Sequence, residues 1–335
     1  MKFLQFMRNL DSSQQVAALF VVVFGLLLLV SATRFALSVR ERRVEPSAAQ
    51  LAFSADFRAL LRVTWIMAGV FWLAWAAGPV VATLLFALVA FFSLREFMTL
   101  SPTRRGDHRS LVLAFFVVLP VQFWLVDARR FDLFTVFIPV YVFIALPVVS
   151  ALSGDTLRFL ERSAKLQWGI MVCVYGVSHV PALLLLHFKD RPAALNVFLV
   201  FFLVSVVQVG MVAQHVVAMR WPRPPFVAEV SASFEWRSWG AGMAAAAFWG
   251  LVFSGITPFS PMQGLGLAAL AYAAGSMGHL VMKALKRDRG IPAWNGRVRS
   301  VTGATGLLDR VDALCFAAPV FFHSVRWYFK LNPSL

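Results

Sequence analysis

Apolar residues run through this chain in long blocks, and short polar stretches separate them. Ten blocks qualify as candidate spans: 16–37, 62–77, 80–95, 111–126, 131–152, 168–187, 194–219, 240–256, 263–282 and 307–328. About 20 apolar residues in a helix cross the hydrocarbon core of a bilayer, and most blocks reach that length or come near it. The second and third are short and divided only by Gly78-Pro79, so they are also compatible with one re-entrant unit and a count of nine. The period-two alternation of outer-membrane strands does not occur. The pattern predicts an all-α, polytopic helical membrane protein of about ten transmembrane helices, forming a single integral-membrane domain over 1–335. The block at 16–37 follows Lys2 and Arg8, is too long for a signal-peptide core and lacks a small-x-small cleavage site, so it reads as a first span. Trp221-Pro222-Arg223-Pro224-Pro225 cannot be helical throughout, because proline removes donors and clashes with the preceding turn.

Composition sharpens this reading. Charged residues make up 14% of the chain and hydrophobic residues 60%, against about 25% charged in a soluble domain. The formal net charge of +15 would suggest nucleic acid in a soluble protein. Here the basic residues lie between apolar blocks, so membrane topology explains them and no nucleic-acid partner is expected. With the N-terminus outside, the positive-inside rule puts most Lys and Arg in cytoplasmic loops. Only Lys2, Arg8, Arg129, Arg130, Lys189, Arg191, Arg326 and Lys330 remain on the other side. The expected location is the inner (cytoplasmic) membrane, multi-pass, with both termini on the non-cytoplasmic side. The two cysteines, Cys173 and Cys315, fall inside spans, so neither a disulfide framework nor a cysteine zinc site is expected.

The longest polar run is Lys283–Leu314. It opens on a basic cluster (Lys283, Lys286, Arg287, Arg289), passes Thr302, Gly303, Thr305 and Gly306, and ends in Asp309-Arg310-Val311-Asp312. Asp309 and Asp312, spaced i, i+3, share a helix face near that helix's N-terminus. Carboxylates there are favoured by the helix dipole and suited to holding Mg²⁺ against a nucleotide phosphate. A helix cap plus a topology-setting Arg310 accounts for the same residues in structural terms. The basic cluster suits a phosphate or an anionic headgroup, and equally a juxtamembrane anchor. His179, Gln208, Gln214 and His215 lie in or beside apolar blocks, where polar groups face a cavity or pack in hydrogen-bonded pairs.

Arg287, Gly290-Ile291, the Gly-containing turn and Leu308-Asp309-Arg310-Val311-Asp312-Ala313-Leu314 resemble the C-terminal signature of the integral-membrane phosphatidate cytidylyltransferases (CDP-diacylglycerol synthases). Leu94-Arg95-Glu96-Phe97 with Thr103 to Arg109, Val212-Ala213-Gln214 and Val230-Ser231 are similar to other motifs of a bacterial branch. The chain departs from that pattern at several positions. Pro292-Ala293 stand where the family has Lys-Asp, Ala304 where it has His, and Met211 where it has Asp. Ser231-Ala232-Ser233-Phe234-Glu235 replaces Ser-Pro-x-Lys-Thr. The resemblance implies a cytoplasm-facing polar cavity in which CTP and phosphatidate give CDP-diacylglycerol and pyrophosphate, with Mg²⁺ as cofactor. It implies that Asp309 and Asp312 are catalytic and hold the metal. Lys286, Arg287 and Arg310 would neutralise phosphates, and Ser231 would hydrogen-bond the nucleotide. CTP, phosphatidate or another anionic phospholipid, and the membrane are the expected partners, and a homodimer is compatible with them. The alternative is a catalytically inactive relative that binds anionic lipid or a membrane partner.

Overall fold

The structure, a computed structural model, describes residues 11–41, scattered positions between 65 and 77, and 78–99, 103–189, 191–221, 223–231, 234–290 and 306–331. Its elements are helical, with no strand among the described residues. The chain divides into two compact units, 1–82 and 83–335. In the first, α1 (Ser12–Glu41) is a single long helix. Its Phe20 and Phe24 rings lie 5.5 Å from Trp75 and 5.7 Å from Trp65. Half of the candidate span 62–77 lies outside the described residues.

Eight further helices follow: α2 (Pro79–Thr99), α3 (Arg105–Asp127), α4 (Phe131–Ala151), α5 (Phe159–Leu184), α6 (Ala193–Arg220), α7 (Trp236–Ile256), α8 (Pro261–Asp288) and α9 (Leu308–Tyr328). Each matches one predicted span to within several residues. The break before α2 has a local cause: Gly78 takes φ 91°, and Pro79 occupies the first helical position, where its missing N–H costs nothing. Ser260 starts α8 through a reciprocal capping box with Gln263, followed by Pro261.

Among the described residues, α1 to α8 are long and apolar enough to cross a membrane; α9 falls short because of Asp309, Arg310, Asp312, His323 and Arg326. Yet α9 is the central helix. It packs on α5, α6 and α8, and Ala317, Ala318, Phe321, Phe322 and Val325 are completely buried. Protein takes the place of lipid around it, so its polar residues need not meet hydrocarbon.

Three π-helical segments widen the spans: Ala114–Val118 in α3, Phe137–Val142 in α4 and Ile170–Gly176 in α5. Each contains or adjoins a proline-disturbed turn (Pro120, Pro139, Pro181), where the carbonyl left without its usual donor is re-accommodated by a wider ring.

Side-chain bridges fix an alternating up-down order. At one end Arg162 of α5 reaches Asp107 of α3 at 3.0 Å, Ser110 of α3 meets Ser150 of α4 at 2.7 Å, and Glu96 of α2 meets the start of α9. At the opposite end Arg326 of α9 pairs with Asp132 of α4, Gln263 Nε2 donates to Tyr328 Oη at 3.0 Å, and Arg191 donates to the Ile256 carbonyl at 2.6 Å. Within the second unit, the described parts of the loops near 96–110, 153–167 and 220–239 and the end of α8, which the charge pattern groups on one side, therefore lie at one end, together with the Asp309–Asp312 segment.

Candidate functional site

One face of α8 carries a polar row: Tyr272, Ser276, His279, Lys283 and Lys286. Steps of four and three residues keep them on a single stripe. Each finds a partner on another element. Tyr272 Oη donates to Gln214 Oε1 of α6 at 2.8 Å. Trp239 Nε1 of α7 donates to Ser276 Oγ at 3.0 Å. His279 Nδ1 lies 2.7 Å from Asp312 Oδ2 of α9. Lys283 Nζ donates to Ser231 Oγ at 3.1 Å. Lys286 Nζ pairs with Asp309 Oδ1 of α9. Close helix approach makes the row continuous: a Cβ at either Gly210 or Gly242 would run into the Tyr272 ring or hydroxyl.

The first turn of α9 is held by Glu96. Its Oε1 accepts the Gly306 N–H at 2.7 Å and the Leu307 N–H at 3.2 Å, and its Oε2 accepts the Leu308 N–H at 2.8 Å. The first N–H groups of a helix have no partner within it, and a carboxylate answers both their hydrogen bonding and the dipole. Glu96 is only 3% exposed, so this clamp is internal. The N-terminus of α9 is thereby filled by the protein's own carboxylate, while Asp309 and Asp312 turn toward α8.

The six predicted site residues fall into two groups. Lys286, Asp309 and Asp312 come together along α8 and α9, and buried Ser231 joins them through Lys283. Arg287 is exposed and bonds the Glu229 carbonyl. Arg310, half-buried on the first turn of α9, feels the charge of Asp309. Of the other sequence candidates, Gln214 belongs to the row, whereas Gln208 and His215 are exposed. His179 is fully buried among Phe134, Tyr175 and Phe322, with Nδ1 donating to the Tyr175 carbonyl at 2.7 Å. That is a packing role within the core.

Sequence reasoning missed His279 and Glu96. His279 sits inside an apolar block, but its spacing from Tyr272, Ser276, Lys283 and Lys286 is a readable signal. Glu96 gave none beyond lying in a motif. Glu235, at the N-cap of α7, is 3% exposed, and neither carboxylate oxygen has a hydrogen-bond partner among the described residues.

The family signature implies a divalent cation, and the donor set can be tested for one. Asp312 uses Oδ2 on His279 and Oδ1 on the Ala313 N–H at 2.6 Å. Asp309 is engaged by Lys286. A hard cation of this class takes about six oxygen ligands. Among the described residues no three His, Cys, Asp or Glu side chains gather into a metal-sized group. The described residues do not fit a divalent-cation site.

Comparison with known proteins agrees with the geometry. The chain is 31% identical over 253 residues to the uncharacterized protein YnbB of Escherichia coli (strain K12), covering 75% of this chain and 81% of that protein. The model of the cytidylyltransferase family matches residues 58–328, a stretch that takes in Glu96, Ser231, the α8 row and both aspartates of α9. With the family model matching most of its length, this multi-pass helical chain belongs to the cytidylyltransferase family.

Proposed function

We propose that this chain binds CTP at the α8–α9 end of the bundle and transfers its cytidylyl group to the phosphate of phosphatidate, releasing pyrophosphate. In that reaction a phosphatidate oxygen attacks the α-phosphorus of CTP, and the bond from that phosphorus to the bridging oxygen breaks. Pyrophosphate then leaves with the electron pair. Charge accumulates on phosphate oxygens, so catalysis of this kind is mainly alignment and neutralisation by fixed positive groups. The observation that carries the reading is the convergence of Lys283, Lys286 and Ser231 with the signature aspartates at one end of the bundle. Lys286 is the group assigned to the phosphates, with Arg287 and Arg310 flanking it. Ser231 is assigned to the nucleotide. The family implies CTP and a lipid substrate, and the positive loops imply that this end faces the cytoplasm of an inner-membrane protein, with the termini opposite.

A second reading is favoured by one specific observation: both signature carboxylates are engaged within the protein, Asp309 by Lys286 and Asp312 by His279 and the Ala313 N–H, as befits an inactive relative that binds anionic lipid. Purified protein in phosphatidate-containing micelles, supplied with α-labelled CTP, separates the two. Labelled CDP-diacylglycerol that disappears in Lys286→Met supports transfer. No product above that variant's background, with anionic vesicles still bound, supports the inactive relative.

A further inference from the structure

Two positively charged groups, Lys283 and Lys286, and one ring nitrogen-bearing group, His279, line one α8 stripe, and how their donors are used decides what the stripe can hold. An ammonium has three N–H donors. Among the described residues Lys286 uses one on Asp309 and Lys283 uses one on Ser231. His279 donates from Nδ1 to Asp312. Each Asp312 oxygen accepts one hydrogen bond, Asp309 Oδ1 pairs with Lys286, and Asp312 is 3% exposed. A divalent cation needs several oxygen ligands gathered around one point, and among the described residues no third acidic, His or Cys side chain joins these two carboxylates in such a group; a phosphate chain needs N–H donors, which the two ammonium groups supply. The stripe is also partly dehydrated, with the Lys286 and His279 side chains 12% and 21% exposed, which strengthens charge-assisted hydrogen bonds. From Lys283 to Lys286 the helix rises about 5 Å, enough to set the two ammonium groups beside neighbouring phosphates.

We propose that this chain neutralises the polyphosphate of its nucleotide with Lys283 and Lys286 in place of a divalent metal ion, and that Asp309 acts as a counter-ion that holds Lys286 in position. The proposal rests on the nucleotide-binding part of the function given above. It makes opposite demands on the two charges of the Lys286–Asp309 pair. Loss of the lysine removes ligand donors. Loss of the aspartate's charge removes a repulsive neighbour of the incoming anion.

The experiment measures CTP and inorganic pyrophosphate binding to the full-length protein in detergent by calorimetry, in excess EDTA and again in Mg²⁺. Mn²⁺ alone is titrated in parallel by electron paramagnetic resonance. Expected results are CTP binding in EDTA within about threefold of that in Mg²⁺, a loss of tenfold or more in Lys286→Met, and tighter binding by about threefold in Asp309→Asn. Binding only in Mg²⁺, or one tight Mn²⁺ per chain that disappears in Asp309→Asn, overturns the proposal and leaves nucleotide binding standing. No CTP binding in either buffer overturns both. Should Asp309→Asn fail to fold, the EDTA comparison and the Mn²⁺ titration on the unaltered protein still decide.

Discussion

Two ion clusters lie at the same end of the bundle and are built on different plans. Around Arg162 everything converges on one guanidinium. It meets Asp107 Oδ1 at 3.0 Å and Asp155 Oδ2 at 2.7 Å, and it also donates to the carbonyls of Leu157 and Asp155, each at 2.8 Å. Its side chain is 6% exposed. Asp107 also accepts the Arg104 N–H at 2.9 Å. This knot ties the start of α3 to the loop before α5, with three of the five guanidinium N–H groups hydrogen-bonded and Nε facing Asp107 as an ion pair. Along α8 the groups are spread over two turns, and among the described residues each lysine uses one of its three donors. A planar fork suits a closed structural knot, while separate ammonium groups suit a surface that must accept a further anion. The degree to which donors are used, more than the presence of charge, distinguishes scaffold from site here.

The largest expected effect breaks the comparison if it fails. Arg162→Met strands Asp107 in a buried position and should cost about 3–5 kcal/mol of stability, read as a large fall in unfolding temperature in detergent. Lys286→Met should cost far less stability while removing nucleotide binding; equal destabilisation by the two variants would erase the distinction.

Gly242→Ala tests the inner end of the row. Its methyl group would meet the Tyr272 hydroxyl and come within 2.7 Å of the Gly210 carbonyl, so overpacking of about 1–3 kcal/mol is expected, with the Tyr272–Gln214 bond disturbed. A stability equal to the parent protein would show that α6, α7 and α8 are less closely packed than described.

Glu96→Gln keeps the shape of the clamp on α9 and removes its charge. A loss of about 1 kcal/mol is expected, accompanied by weaker CTP binding because α9 positions the partners of Lys286 and His279. Unchanged binding would confine Glu96 to stability alone.

The smallest effect belongs to Asp155, at the edge of the knot. Its pKa is lowered first by the Leu157 N–H that its carboxylate accepts and, against the opposing effect of burial, by its bond to Arg162. A carboxyl whose pKa is lower folded than unfolded stabilises above its unfolded value, about 3.9. That contribution is lost as pH falls through the lower, folded value. Asp155→Asn should therefore be slightly less stable than the parent at neutral pH, and the difference should close in strong acid. A gap that persists there would point to packing instead of charge.

The helical spans were legible because each is a block of apolar residues whose length the bilayer dictates, and the break at Gly78-Pro79 follows from backbone chemistry. The π segments were not legible: they depend on how Pro120, Pro139 and Pro181 are accommodated by neighbouring helices. At the site, Lys286, Asp309 and Asp312 were picked out by charge and motif, but their pairing was not, because it depends on which face α9 turns to α8. His279 was masked by the apolar residues around it, although a period of 3.6 applied to the polar positions alone would have revealed it. Glu96 works through contacts more than 200 positions away in the chain, beyond the reach of any local pattern.

The central position of α9 also bears on how the protein is made. A nascent chain delivers helices to the bilayer in order, and α9 emerges after α2 to α8 with charges at both ends and a body that lipid alone would not retain. Its slot must already exist, bordered by Gly176 of α5 and Gly278 of α8, where added side chains would collide with Cys315 and Phe316 of α9. Until α9 arrives, that slot is an open groove between assembled helices, the kind of surface that membrane chaperones cover and quality-control proteases recognise. Biogenesis of the candidate site and closure of the bundle are therefore one event, completed by the helix that carries Asp309 and Asp312.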